Sequence, residues 1–332
     1  MALVPPPPAP APTRRRLPSV PVVTAALLVL APLFMATDFA LSIELRFCIW
    51  LILLTGLNMI NGLAGMTSLA QAGFFGLGAY TAGIAAAKAG VPPLVAFLIA
   101  PLVTTVAALV IGAMSLRLRA MYFTMATLGT GYVLYLLFGR AADLTGGPNG
   151  LLGIPPLSVA GFEFTEPIAL YLLGAVLALI GTVVAHNVAR SRTGRALRAL
   201  GTSEPAAVAS GAKAFPLRMF AFALSAFFAG VAGAVEAFDA RFVSPSTFDF
   251  FTAVVLVVAL AVGGVGTAIA PLIGAGLLTA LDLFAADFAD YEPLIMGIVF
   301  LLAIQLFPRG VGGALAARMA HRGIRPTRED AG

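Results

Sequence analysis

Four neutral polar side chains, Asn58, Asn61, Ser68 and Gln71, stand close together in an otherwise apolar stretch. Amides and hydroxyls are expensive to expose to lipid, so they must face protein, one another or a water-filled path. With Thr67 beside them they could line a route for a polar solute. A proton relay would need a row of acids or histidines, and none stands there. Gly62, Gly65, Gly73, Gly76 and Gly83 accompany them, several at spacings of three or four that let helix backbones approach closely. Helix packing alone also accounts for these small residues.

The arrangements needed for bond-making chemistry are missing. Cys48 is the only cysteine, which excludes an internal disulfide. His186 and His321 are too few for a multi-histidine metal centre. There is no Ser/His/Asp or zinc arrangement, and no G-x-x-x-x-G-K-[S/T] phosphate loop. The chain is therefore expected not to be an enzyme, and to bind no metal or cofactor of its own. The net charge of +5 is no nucleic-acid footprint, because the basic residues are dispersed between apolar segments.

Two connecting segments carry the other candidates. In residues 140–166 the run Leu144-Thr145-Gly146-Gly147-Pro148-Asn149-Gly150-Leu151 specifies turns. Thr145, Gly146, Gly147 and Asn149 are candidates for a cap over a solute path or a contact with an external partner; a plain connection is the simpler reading. In residues 188–216, four arginines lead into Gly201-Thr202-Ser203-Glu204-Pro205-Ala206-Ala207. Thr202 or Ser203 can cap a helix there, Glu204 suits its positive end, and Pro205 is tolerated in the first turn. Such a helix, running on to Gly211, could sit in a cleft of a cytoplasmic partner or lie on anionic lipid.

These residues need elements to place them. Of 332 residues 60% are hydrophobic and 11% charged, against about a quarter charged in a soluble domain. The reading is an all-α, polytopic membrane protein. About 20 residues cross the hydrocarbon, and ten spans are expected, at about 19–37, 45–62, 67–87, 92–114, 119–138, 167–187, 217–237, 249–263, 268–286 and 291–307. Some are short or broken. The uncharged run 250–281 is long for one crossing and short for two, and Gly263, Gly264 and Gly266 mark a candidate hinge or break inside it. Glu236 and Asp282 fall near the outer ends of spans seven and nine, where each could mark function, although a carboxylate near the interface can also simply reach water. With the N-terminus inside, sixteen of the Lys and Arg residues fall inside and four, Arg46, Lys88, Arg140 and Arg241, outside. That bias puts both termini in the cytoplasm. Residues 1–18, proline-rich, are expected to be a disordered cytoplasmic tail, 19–310 the membrane domain, and 311–332 a second tail.

The segments Gly56–Asn58, Gly62–Gly65, Ser68–Tyr80, Leu144–Leu151, Arg195–Gly211 and Ser225–Gly230 together resemble the branched-chain amino acid permease family of bacterial ABC importers, over about residues 45–310. The resemblance is to the member usually paired with a second, related permease. It implies a multi-pass protein of the bacterial inner membrane, partnered by that homologous permease subunit, two cytoplasmic ABC ATPase subunits and a periplasmic solute-binding protein. ATP and Mg would then sit on the ATPases. Glu204, Pro205, Ala206, Ala207 and Gly211 look like the family's coupling loop, and alternating access would follow from movement of the helix at 201–212. Relatives also carry urea, short amides or other amino acids, so the solute stays open. A passive channel and a membrane scaffold without a solute path are the competing classes.

Overall fold

The computed structural model describes residues 20–34, 37–118, 120–159, 162–164 and 166–285, with single helical positions at 297 and 305. The expected tenth span, apart from those two positions, and both tails lie outside the described residues.

Among the described residues the chain is almost wholly helical. The elements are α1 (Val20–Phe34), α2 (Asp38–Asn58), α3 (Gln71–Ala87), α4 (Pro93–Ser115), α5 (Ala120–Arg140), α6 (Ala142–Thr145), α7 (Pro167–Arg190), α8 (Arg192–Thr202), α9 (Glu204–Ala209), α10 (Ala214–Ala240), α11 (Phe250–Gly263) and α12 (Ala270–Ala285). Five stretches are long and apolar enough to cross a membrane: Asp38–Leu63, Pro93–Ser115, Met121–Arg140, Pro167–Arg190 and Ala214–Ala240. The nine expected spans before residue 287 each coincide with one described helix.

Local chemistry sets several ends. Thr37 caps α2, its hydroxyl accepting from the Ala40 N–H at 3.3 Å. Pro93 and Pro167 open α4 and α7, where a missing N–H costs nothing. Asp249 caps α11 through the Thr252 N–H at 2.8 Å. α10 stops at Arg241, the one non-glycine residue with positive φ among the described residues.

α10 is the centre. It packs on α2, α3 and α4, and 72% of its apolar window is buried against 17% for α5, which therefore lies at the edge. Glycines let the backbones meet. A Cβ on Gly78 would lie 2.7 Å from Gly230 Cα, one on Gly230 would lie 2.6 Å from Pro101 Cα, and one on Gly233 would lie 2.2 Å from the Phe75 carbonyl oxygen. No side chain larger than hydrogen fits at these crossings.

Short pieces close one end. β1 (Leu151–Leu152) pairs antiparallel with β4 (Phe242–Val243), Leu151 opposite Val243. A second two-residue pair joins β2 (Ser158–Val159) to β3 (Phe162–Glu163). Arg46, Lys88, Arg140 and Arg241 belong to this end. Lys88 donates to the Asp143 carbonyl, and Arg46 pairs with Glu236 on the last turns of α10. The Arg117 guanidinium lies over the Phe215 ring at the opposite end, which also holds α8 and α9.

Two departures from regular helix lie beside the polar residues noted above. α2 continues through a π turn, Met59–Leu63, into an irregular stretch at 64–70. The span expected from residue 67 is therefore helical only from Gln71. The expected break at 263–267 is a tight turn: Gly264 and Gly266 have φ of 96° and 80°, and α11 and α12 pack on one another on either side of it.

Candidate functional site

Both breaks expose backbone groups that an apolar interior cannot satisfy, and the polar side chains noted above go to them. Asn58 serves the 263–267 turn. Its Oδ1 accepts from the Gly266 N–H at 2.9 Å and its Nδ2 donates to the Thr267 carbonyl at 3.0 Å. Gly62 sits beneath it, where a Cβ would lie 2.1 Å from Asn58 Oδ1 and 2.6 Å from Gly266 N. Asn61 serves the 64–70 stretch, its Oδ1 accepting from the Ser68 N–H at 2.9 Å. The Ser68 hydroxyl accepts from the Ala70 N–H at 3.4 Å.

Gln71, the first residue of α3, binds in three directions. Its Nε2 donates to the Leu53 carbonyl of α2 at 3.0 Å and the Ser225 carbonyl of α10 at 3.4 Å, while its Oε1 accepts from the Ser225 hydroxyl at 2.8 Å. Thr124 and Thr127 of α5 complete the set: Thr124 donates to the Thr67 carbonyl at 2.9 Å, and Thr127 accepts from the Leu69 N–H at 3.2 Å. Asn58, Asn61, Ser68 and Gln71 are all buried, so in this conformation they hold the breaks together. Asn58 borders a cavity of about 60 Å³ shared with Thr55, Thr182, His186 and Arg198. That is well below the roughly 300–1,000 Å³ of small-molecule sites.

The 188–216 segment forms two helices. Ser191 caps α8, its hydroxyl accepting from the Gly194 N–H at 3.2 Å, and Leu197 and Leu200 bury one face. Arg195 and Arg198 donate to the Arg190 and Ala189 carbonyls, satisfying the carboxyl end of α7. In α9 only Ala207 is buried; Glu204, Pro205, Ala206 and Gly211 are exposed, as is Val208 at 49%. Ser203 occupies the cap position without a side-chain bond, and Thr202 instead donates to the Arg198 carbonyl. Gly211 has φ of 89°, which turns the chain toward α10. A two-pronged ion pair fixes α9: Arg218 Nη1 and Nη2 each lie 2.9 Å from a Glu204 carboxylate oxygen.

At the other end, the Thr145 hydroxyl donates to the Phe138 and Ala141 carbonyls and accepts from the Gly147 N–H. Thr145 and Gly147 are buried, Gly146 and Gly147 hold positive φ, and only Asn149 among the four candidates is exposed. The segment is a built turn with one outward amide. Far from reaching water, Glu236 is 6% exposed, because Arg46 comes down α2 to lie 3.4 Å away. Asp282 is half-buried and accepts from Trp50 Nε1 at 2.8 Å. Arg218, Gly65, Gly201, Thr124 and Thr127 carry no local signal that separates them from orientation, packing or capping residues, and only their distant partners reveal them.

Residues 39–304 match the family described as the branched-chain amino acid transport system permease component. The high-affinity branched-chain amino acid transport system permease protein LivM of Salmonella typhimurium is 31% identical over 311 residues, 86% of this chain and 73% of the relative. LivM of Escherichia coli is 32% identical over the same shares. The autoinducer 2 import system permease protein LsrC of an Enterobacter species is 29% identical over 201 residues, 58% of this chain and 56% of the relative. No solved structure matches. With a helical membrane body, two broken helices and a match over most of its length, the chain belongs to the permease family of the branched-chain amino acid transport system.

Proposed function

We propose that this chain is one membrane-spanning subunit of an ATP-driven importer that passes branched-chain amino acids handed over by a periplasmic binding protein. It works beside a homologous second permease subunit and two cytoplasmic ABC ATPase subunits, which hold the ATP and Mg. The protein sits in the bacterial inner membrane with both termini cytoplasmic, an orientation supported by the sixteen-to-four division of its basic residues.

The observation that carries this reading is α9. A helix of six residues is too short to persist in water alone, yet this one is pinned to α10 by a two-pronged ion pair. Pro205, Ala206 and Val208 are left outward. A pinned, exposed helix of small residues suits docking into a cleft of a partner that moves. Asn149, outward at the opposite end, suits contact with the binding protein.

The test is uptake into proteoliposomes holding the full complex, with leucine, isoleucine and valine set against urea, short amides and polar amino acids. Saturable uptake of the leucine group that needs both ATP and the binding protein is the expected result. ATP-dependent uptake of another solute alone would keep the importer and replace its cargo. Uptake indifferent to ATP would refute the mechanism.

A further inference from the structure

Two of the contacts that join the 201–212 segment to the membrane body lead to one side chain. The first runs through α10. Arg218, whose side chain is only 13% exposed, grips Glu204 with both terminal nitrogens. Its Nε is buried with no partner among the described residues, so the fork to Glu204 is what satisfies this cation. Seven residues on, two turns along the same face of an unbroken helix, the Ser225 hydroxyl donates to Gln71.

The second contact runs through α8. Gly201, in its last turn, lies against Gly65: a Cβ on Gly65 would come within 2.7 Å of Gly201 Cα, and one on Gly201 within 3.2 Å of Gly65 N and the Leu63 carbonyl oxygen. Backbone meets backbone with no side chain to absorb a displacement. From Gly65, which holds φ of 66°, the irregular stretch leads through Ser68 and Ala70 straight to Gln71.

We propose that these two arms form a closed linkage, with Arg218, Gly65 and Gly201 as positioning residues. The linkage turns movement of α9 into a shift of the broken start of α3. Gln71 is its output, because it alone among these residues is bonded to α2, to α10 and to the chain leaving the break. A two-pronged pair resists both stretching and swivelling, and the continuous helix between Arg218 and Ser225 carries the motion without slack. The 64–70 stretch lacks helical hydrogen bonding but is not slack, since side chains from α5 and from the π turn hold much of its backbone. This inference rests on the importer reading above.

The experiment measures leucine uptake and ATP hydrolysis together in proteoliposomes of the full complex, and reads solute moved per ATP. Arg218→Gln is expected to keep the ATPases bound and hydrolysing while that ratio falls about tenfold, the scale of ordinary coupling between distant sites. Ser225→Ala, further along the same arm, lowers the same ratio, and Arg218→Gln/Ser225→Ala together lower it no further than Arg218→Gln alone. Should Arg218→Gln lose the ATPases, the exchanged pair Glu204→Arg/Arg218→Glu decides: recovery of assembly and of the ratio supports the linkage, and failure to recover overturns it. An unchanged ratio in Arg218→Gln, or uptake and hydrolysis falling in equal proportion, also overturns it. Absence of ATP-dependent uptake in the unsubstituted complex would overturn the importer reading and the linkage with it, and is told apart by appearing without any substitution.

Discussion

Gly233 and Gly129 are glycines in the interiors of long helices, and alanine at either gains about 1 kcal/mol of helix propensity. Their surroundings differ. A Cβ on Gly233 would stand 2.2 Å from the Phe75 carbonyl oxygen and 2.6 Å from Ala79 N, both backbone atoms of α3. Ordinary contact begins near 3.4 Å, so α3 must retreat from α10 by about 1 Å, a distance a tightly packed interior does not absorb freely. Overpacking costs about 1–3 kcal/mol, and the upper end applies because no side chain can rotate aside. Gly233→Ala is therefore expected to destabilise by about 2 kcal/mol net. A Cβ on Gly129 meets nothing within 4 Å, so Gly129→Ala keeps its gain of about 1 kcal/mol. The gap of about 3 kcal/mol corresponds to about 6 °C between apparent midpoints, at about 2 °C per kcal/mol for a chain of this size. The assay is thermal unfolding of the purified chain in detergent at one fixed scan rate, because such unfolding is often irreversible. Midpoints within about 1 °C of each other would refute the close-packing argument for α3 and α10.

Asn58→Leu removes both bonds to the 263–267 turn and leaves a part-buried N–H and carbonyl without their side-chain partner, a loss of roughly 1–2 kcal/mol. Faster amide exchange across residues 264–269 is expected, and unchanged exchange would show that the turn holds itself. Arg46→Gln strands the buried Glu236 carboxylate. The cost is roughly 2–3 kcal/mol, less than for a fully buried pair because the Arg46 side chain is 43% exposed. Arg46→Gln/Glu236→Gln is expected to melt higher than Arg46→Gln alone, and equal midpoints would mean that a stranded Glu236 carboxylate carries no penalty.

Composition and hydrophobic runs made the helical membrane body legible, because lipid leaves the chain few other ways to satisfy its backbone. The 263–267 break was legible too: Gly263, Gly264 and Gly266 punctuate an uncharged run that fits neither one crossing nor two. The 64–70 break was not. Thr67, Ser68 and Leu69 suit a helix locally, and two of the three side chains that hold them out of one, Thr124 and Thr127, lie more than fifty residues away. For the same reason Asn58, Asn61 and Gln71 read as path residues, although in this conformation each serves a particular stretch of backbone. Glu204 and Arg218 show the limit from the other side. Glu204 was legible as a residue for the start of a helix and Arg218 as a topological charge, but nothing local announces that a turn at Gly211 brings them into one fork. Glu236 was read as able to reach water because it lies near a helix end, yet it is buried; depth along a helix says little about which neighbour covers that end.

The groups that hold the two breaks are amides and hydroxyls, and every one of them is electrically neutral. A transmembrane voltage does work on charge, about 2.3 kcal/mol per elementary charge per 100 mV, and finds no charge to pull at these joints. Nor is there a group among them that changes protonation in the physiological range. A transmembrane voltage or a proton gradient therefore has nothing to act on directly in the bonds of these joints, and can reach them only through charges carried elsewhere on the helices, such as Arg46, Glu236 and Asp282.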